Sequence, residues 1–255
     1  MKIVVLIKQV PDTSDERTLD PSTGWLNRDA GDNIVDEINE RALEVALQVK
    51  DKDKSTEVAV LAMGPAEAAK AIRKALSMGA DSGIHILDDS LAGADPVRTA
   101  AVLAAALKDT AADVILAGNE STDGRGGVVP AMIAEHLGLP LAGSLSTITL
   151  AGDKVSGERQ DDNGTLSVSS GLPAVVTVTE RTAEARFPNF KGILTAKRKP
   201  VATLAVSGLD VPATPARTVI VSSAERPARV AGTKIVDEGN AGTLLAEYLI
   251  ENRLV

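Results

Sequence analysis

A chain of 255 residues can bury one large core, or one core with an appendage. Its 44% apolar and 24% charged residues are those of a soluble globular protein, and a net charge of −8 argues against a nucleic-acid surface as the main function. Cysteine is absent, which excludes disulfides, thiolate nucleophiles and Cys-ligated metal sites; with aromatics at 2%, the core must be built from Ala, Val, Leu and Ile.

The opening MKIVVLIKQVPD has a short apolar run, Ile3 to Ile7, followed directly by Lys8. It is too short to span a membrane and lacks a signal-peptide cleavage pattern, so it reads as the first, doubly buried strand of a cytoplasmic protein. A long polar excursion runs from Pro11 to Asn33. VDEINERALEVALQVKDKDK follows as a helix, with Val35, Ile38, Ala42, Val45, Ala46 and Val49 on one stripe and lysines in its last turn. EVAVLAMG is a second buried strand. PAEAAKAIRKALSMG is a second helix, with Pro65 suited to its first turn and Gly79 to its C-terminal cap. GIHILDD, DPVRTAAVLAAALKD and DVILAG continue as strand, helix and strand, and Gly126 to Leu137 makes a fourth helix. This alternation predicts a Rossmann-like α/β fold, a doubly wound, mostly parallel sheet with helices on both faces.

From Thr147 the pattern changes. TITL, VSGERQ and TLSVSS read as short strands of a β-hairpin region, with turns at Gly152-Asp153 and Asn163-Gly164. PAVVTVTE returns to a buried strand, and ARFPNFKGILTAKRKP reads as a polar loop, with Gly192 as a hinge, and a short helix. Beyond Val206 the chain is rich in Pro and Ala and has few helical signals until AGTLLAEYLIENRLV. The expected division is a nucleotide-binding domain over 1–205 and an extended C-terminal arm over 206–255 that needs a surface to lie on.

In a doubly wound sheet, ligands bind at the carboxyl ends of the strands where strand order reverses. If the first strand is central, Lys8-Gln9 and the loop Gly118 to Gly127 face each other there, with Ala62-Met63-Gly64 beside them. GNESTDGRGG is neither a P-loop nor G-x-G-x-x-G. It offers free backbone N–H groups at Gly124, Gly126 and Gly127, hydroxyls at Ser121 and Thr122, a charge at Arg125, and a helix N-terminus, which together suit a nucleotide phosphate. The plainer alternative is a Gly-rich turn with an ordinary cap. Catalytic constellations are poor. His85 and His136 lack motif neighbours and read as structural, and Asp88-Asp89 and Asp161-Asp162 read as solvated turns. Lys197-Arg198-Lys199 is either a solvated helix end or, with Phe187 and Phe190, the basic rim of a partner surface.

VVLIKQVPDT, DEINERALEVALQ, AMGPAEAAKAIRKALSMGAD, AGNESTDG, LPAVVTVTE and RFPNFKGILTAKRKP occur in this order over about the first four-fifths of the chain. Together they resemble the beta subunit of electron-transfer flavoprotein, in its actinobacterial form. The resemblance implies an adenine-nucleotide-binding (HUP-like) fold and an electron carrier without a catalytic centre of its own. The carrier is a heterodimer with an alpha subunit. It accepts electrons from acyl-CoA and related dehydrogenases and passes them to a quinone oxidoreductase. FAD lies chiefly in the alpha subunit, and the beta subunit holds an AMP that does no redox chemistry. Matched positions imply AMP contacts at Leu6, Lys8, Asp36, Met63, Gly64, Asn119, Ser121, Thr122, Asp123, Gly124, Arg125, Gly126, Gly127 and Val128. Thr13 and Ile38 match positions near the flavin ring, and Phe190, with Ile193 and Leu194, matches the segment that recognises partner dehydrogenases. A second FAD in the AMP position, in a carrier that splits electron pairs, and a stand-alone nucleotide-binding protein are the alternatives.

Overall fold

The computed structural model describes all residues except 213–215, 225 and 233. In chain order the elements are β1 (Lys2–Leu6), β2 (Gln9–Pro11), β3 (Asn33–Val35), α1 (Glu37–Lys52), β4 (Glu57–Met63), α2 (Ala69–Met78), β5 (Ser82–Ile86), α3 (Pro96–Lys108) and β6 (Val114–Gly118). They continue with α4 (Val129–Leu137), β7 (Leu141–Leu145), β8 (Thr147–Ala151), β9 (Lys154–Asp161), β10 (Gly164–Gly171), β11 (Ala174–Val178), α5 (Phe190–Ala196), β12 (Val201–Leu204) and α6 (Ala241–Glu251). The chain forms two compact units, Met1–Val221 and Ser222–Val255.

The first unit is a Rossmann-like α/β fold. Its seven-stranded sheet runs β12-β5-β4-β1-β6-β11-β7, and the described pairings in it are parallel. Successive strand side chains point to opposite faces, so a continuous apolar run serves two cores at once. In β1, Ile3 and Val5 join Leu43 of α1 and Ile72 and Leu76 of α2 on one face. Val4 and Leu6 join Leu103 and Leu107 of α3 and Ile133 of α4 on the other. The chain leaves β1 toward β4 on one side and returns to β6 on the other. The strand order therefore reverses at β1, which marks the crevice beyond the carboxyl ends of β1 and β6 as the place where such sheets bind ligands.

Several boundaries differ from the sequence pattern for local reasons. The polar excursion contains an antiparallel pair, β2 with β3, and Val35 belongs to that pair rather than to the helix stripe. Asp36 ends it and caps α1, its Oδ1 accepting from the Ile38 N–H at 3.0 Å, a contact worth about 1 kcal/mol. Pro65 precedes a short 3-10 turn, Ala66–Ala68, before α2 begins. Helix α4 begins at Val129, not Gly126. Arg125 and Gly127 have φ of 48° and 63°, which a right-handed helix cannot accept, and Pro130 fits the first turn instead.

The hairpin region is a three-stranded antiparallel sheet, β10-β9-β8. Its second turn sits one residue early because Asp161 Oδ1 accepts from the N–H groups of Asn163 and Gly164. Strands β7 and β12, at the two sheet edges, carry no pattern that announced them. The arm begins on its own domain: Val206, Leu209 and Val211 pack on the core face formed by α3 and α4. Asp88 and Asp95 hold it there. Each caps a helical turn with one oxygen and gives the other to arm backbone, Asp88 to Val206 N–H and Asp95 to Arg217 and Thr218 N–H. Asp88 is thus a tether rather than a solvated turn. In the second unit, α6 exposes Leu245, Tyr248 and Ile250. Among the described residues, no helix is long and apolar enough to cross a membrane.

Candidate functional site

The crevice is built from the segments that follow β1, β2, β3 and β6. Lys8 leaves β1 with its N–H fixed by Asn39 Oδ1 at 2.8 Å. Its ammonium donates to Asp123 Oδ1 at 2.7 Å and to Ser121 Oγ at 3.2 Å. Arg28, from the polar excursion, reaches the other Asp123 oxygen at 2.7 Å. The Asp123 side chain is only 2% exposed. Burial opposes its ionisation, but Lys8, Ser121 and Arg28 outweigh that and hold its carboxyl well below the usual carboxylate range. One carboxylate between two cations leaves net positive charge at the loop.

The next residue is fixed from the opposite side. Asp36 is fully buried, and its Oδ2 accepts from the N–H of Thr122 at 2.6 Å and from its hydroxyl at 2.9 Å. Arg17 donates to the Thr122 carbonyl at 2.5 Å and to Pro11 O at 2.8 Å. The close approach of α1 to this loop requires Gly118, because a Cβ there would stand 2.7 Å from Asn39 Nδ2 and 2.9 Å from Ile38 Cγ2.

Beyond Asp123 the loop turns outward and its donors are open. Gly124 N–H is taken by Asp123 Oδ1. Among the described residues no hydrogen bond uses the N–H groups of Gly126, Gly127 or Val128, and α4 starts there without a side-chain cap. Space around Gly126 is open to at least 4 Å. Asn119 Oδ1 is buried and meets no donor among the described residues. Open backbone donors, a surplus of positive charge and an orphaned amide oxygen fit an anionic group with donors of its own, as a nucleotide has. Among the described residues, no group of three or more His, Asp or Glu could hold a metal ion.

The comparisons with known proteins decide the family. Residues 23–209 match the model of the electron transfer flavoprotein domain. The chain is 48% identical to the electron transfer flavoprotein subunit beta of Mycobacterium leprae (strain TN), over 99% of each chain. The same subunit of Mycobacterium tuberculosis (strain ATCC 25618 / H37Rv) is 45% identical over the same share. The chain belongs to the electron transfer flavoprotein beta-subunit family. A more distant relative, at 35% identity over 79% of this chain and 77% of its own, is the caffeyl-CoA reductase-Etf complex subunit CarD of Acetobacterium woodii.

Within this family fold, the sequence-predicted residues fall into three groups. Lys8, Asp36 and the loop Asn119–Val128 meet in one place. Leu6 and Met63 line the strand ends, and Gly64 sits beside them, its carbonyl bonded to the buried His85 ring at 3.1 Å. His85 is thereby satisfied structurally, and His136 is exposed on α4. Thr13 is exposed, its hydroxyl donating to Glu37 Oε1 at 2.9 Å, while Ile38 is buried against the end of β6. Sequence reading missed Arg17, Arg28 and Asn39. The first two come from a segment without periodicity, and Asn39 lies inside a helix whose main sequence signal is its apolar stripe.

The third group lies on α5. Phe187 is 90% exposed and Phe190 77%, with Ile193 and Leu194 half-exposed and Lys191, Lys197 and Arg198 around them. Neither phenylalanine packs in the core. Two expectations for this segment are corrected. Gly192 is not a hinge: a Cβ there would lie 2.2 Å from Ser77 O, so glycine allows α5 to press on the end of α2. Lys199 is not a solvated helix end either, because its ammonium donates to Leu76 O at 2.9 Å and Ala80 O at 2.5 Å, and this burial pushes its pKa down.

Proposed function

We propose that this chain is the nucleotide-holding half of a heterodimeric, cytoplasmic electron carrier. It accepts electrons from dehydrogenases such as acyl-CoA dehydrogenases and delivers them to a quinone oxidoreductase. The chain has no catalytic centre of its own. It holds one AMP, covers one side of the FAD carried by the alpha subunit, and presents a docking surface. The observation that carries this reading is the meeting of Lys8 and Arg28 on Asp123, in the same loop as the unbonded N–H groups of Gly126 to Val128, at the switch point of a beta-subunit fold.

In this reading the AMP phosphate takes the open donors of Gly126, Gly127 and Val128 and the positive field of Lys8 and Arg28. Leu6, Met63, Gly64 and Asn119 would hold the adenosine. Asp36 and Asp123 are buried and already fully engaged, so they shape the loop rather than touch the phosphate. FAD supplies the redox chemistry, taking up and releasing electrons at its ring. Thr13 and Ile38 would be the residues of this chain nearest that ring. The part of the arm beyond its tether at Thr218, with the exposed face of α6, docks on the alpha subunit. Phe190, Ile193 and Leu194 dock the dehydrogenase. Their small apolar patch suits an encounter that must form and break at every turnover.

A second reading puts a second FAD in the AMP position, in a carrier that splits electron pairs. The similarity to a subunit of a CoA-reductase complex is the observation on its side. Co-expression with an alpha subunit tests the main reading. A one-to-one yellow complex that an acyl-CoA dehydrogenase reduces in the presence of acyl-CoA is expected, with the isolated chain colourless. An isolated chain that binds FAD at full stoichiometry contradicts the division of labour.

A further inference from the structure

The exposed apolar segment is held by a buried carboxylate far from it in sequence. Glu44 lies on α1 and is 5% exposed. Both of its oxygens accept from Arg186, and Oε1 accepts from Gln48 Nε2 as well, at 3.1 Å. Oε2 accepts from Arg186 Nε at 2.6 Å and from the Arg186 N–H at 3.2 Å, and Oε1 accepts from the other arm of the guanidinium at 2.9 Å. Arg186 also pairs with Asp51 at 2.8 Å. These contacts keep the guanidinium firmly protonated, with its pKa raised by the Glu44 hydrogen bonds above all. The very next residue is Phe187.

The far end of the segment is fixed as well. Gly192 presses on Ser77, Arg73 donates to Ala196 O at 2.9 Å, and Lys199 caps the end of α2. Between these anchors, Phe187, Phe190, Ile193 and Leu194 stay exposed instead of folding back onto the domain. Side chains already held in their binding pose lose less freedom when a partner covers them.

We infer that Glu44 and Arg186 form a positioning clamp that presents the segment 187–194 to the dehydrogenase in one pose. The inference rests on the docking reading given under Proposed function. A planar, two-pronged contact explains why the residue before Phe187 is arginine, since a lysine ammonium has no parallel pair of N–H groups matched to the two carboxylate oxygens.

The test uses the complete heterodimer and measures its reduction by the dehydrogenase as the heterodimer concentration is varied. Arg186→Lys keeps the charge and loses the fork. It is expected to raise KM about tenfold while the rate at saturation and the flavin spectrum stay unchanged. Glu44→Gln is expected to do the same. If it melts too early to assay, Arg186→Lys alone decides, because Arg186 is partly exposed and its replacement leaves no buried vacancy. In a Phe190→Ala background the clamp has no anchor to position, so Arg186→Lys is expected to add less than about twofold. An equal factor in both backgrounds overturns the clamp. So does an unchanged KM for Arg186→Lys where Phe190→Ala raises it, and that result leaves the docking reading standing. No effect from Phe190→Ala removes the docking reading and the clamp with it.

Discussion

The crevice beyond β1 and the surface of α5 are built by opposite means. In the crevice, charged side chains point inward and backbone donors point outward, and the buried Asp123 keeps two cations in place. On α5, apolar side chains are exposed, and the charged pair Glu44–Arg186 anchors the chain just before them. The first arrangement suits a small anion that stays bound. The second suits a protein that comes and goes. In both, a buried carboxylate holds cationic side chains: Asp123 holds Lys8 and Arg28, and Glu44 holds Arg186.

That comparison is broken most severely at Asp123. Asp123→Ala leaves Lys8 and Arg28 facing each other without a counter-charge. Both cations are partly exposed, so the expected loss is about 2 kcal/mol rather than the larger cost of a fully buried pair, or about 4–8 °C in melting temperature. Nucleotide content should fall with it. The sign with pH follows from the lowered folded pKa of Asp123. Its contribution is complete above the ordinary carboxylate value of about 4 and erodes as pH falls below that. The gap in melting temperature between wild type and Asp123→Ala should therefore be constant from about pH 8 to 5 and narrow in stronger acid. A gap that already closes between pH 7 and 5 contradicts the ion-pair assignment.

Phe190→Ala sharpens the other side. An anchor worth about 2 kcal/mol of docking corresponds to roughly a thirtyfold rise in KM for the dehydrogenase reaction. Phe190 is 77% exposed, so the melting temperature should move by less than about 2 °C. A large drop in melting temperature with unchanged KM would falsify the assignment of this face to docking.

The smallest effect is expected at Arg28. Arg28→Ala removes one partly exposed charge-assisted contact, worth about 1 kcal/mol, and should weaken AMP retention about fivefold. Added salt should reduce the difference between wild type and variant, because the arginine acts through partly screened charge. Titration calorimetry on nucleotide-stripped protein checks both points.

Much of the scaffold was legible because buried parallel strands are continuous apolar runs. Ile3 to Ile7, Val58 to Ala62 and Val114 to Ala117 read directly as strands. Edge strands β7 and β12 were not legible, since LAGSL is broken by Gly and Ser and VATL is only four residues long. The start of α4 was misread because glycines before a helix do not reveal which of them take positive φ. Lys8 and the loop 119–128 could be foreseen as neighbours from strand order alone. The partners Arg17 and Arg28 could not, because they reach the loop from an irregular segment whose path depends on the β2–β3 pair. The clamp was illegible for the same kind of reason: Glu44 and Arg186 are 142 residues apart, and only the packing of α1 against the segment before α5 brings them together.

The most direct test of the account is the nucleotide content of the heterodimer purified without added nucleotide. The protein is denatured, and the released small molecules are identified and counted by mass spectrometry. One AMP and one FAD per heterodimer is the expected result, with AMP lost and FAD retained in Asp123→Ala. Two FAD and no AMP would place a flavin in the crevice and favour the electron-splitting reading. One FAD with no second nucleotide of any kind would contradict the central claim that the loop from Asn119 to Val128 is built to hold a nucleotide phosphate.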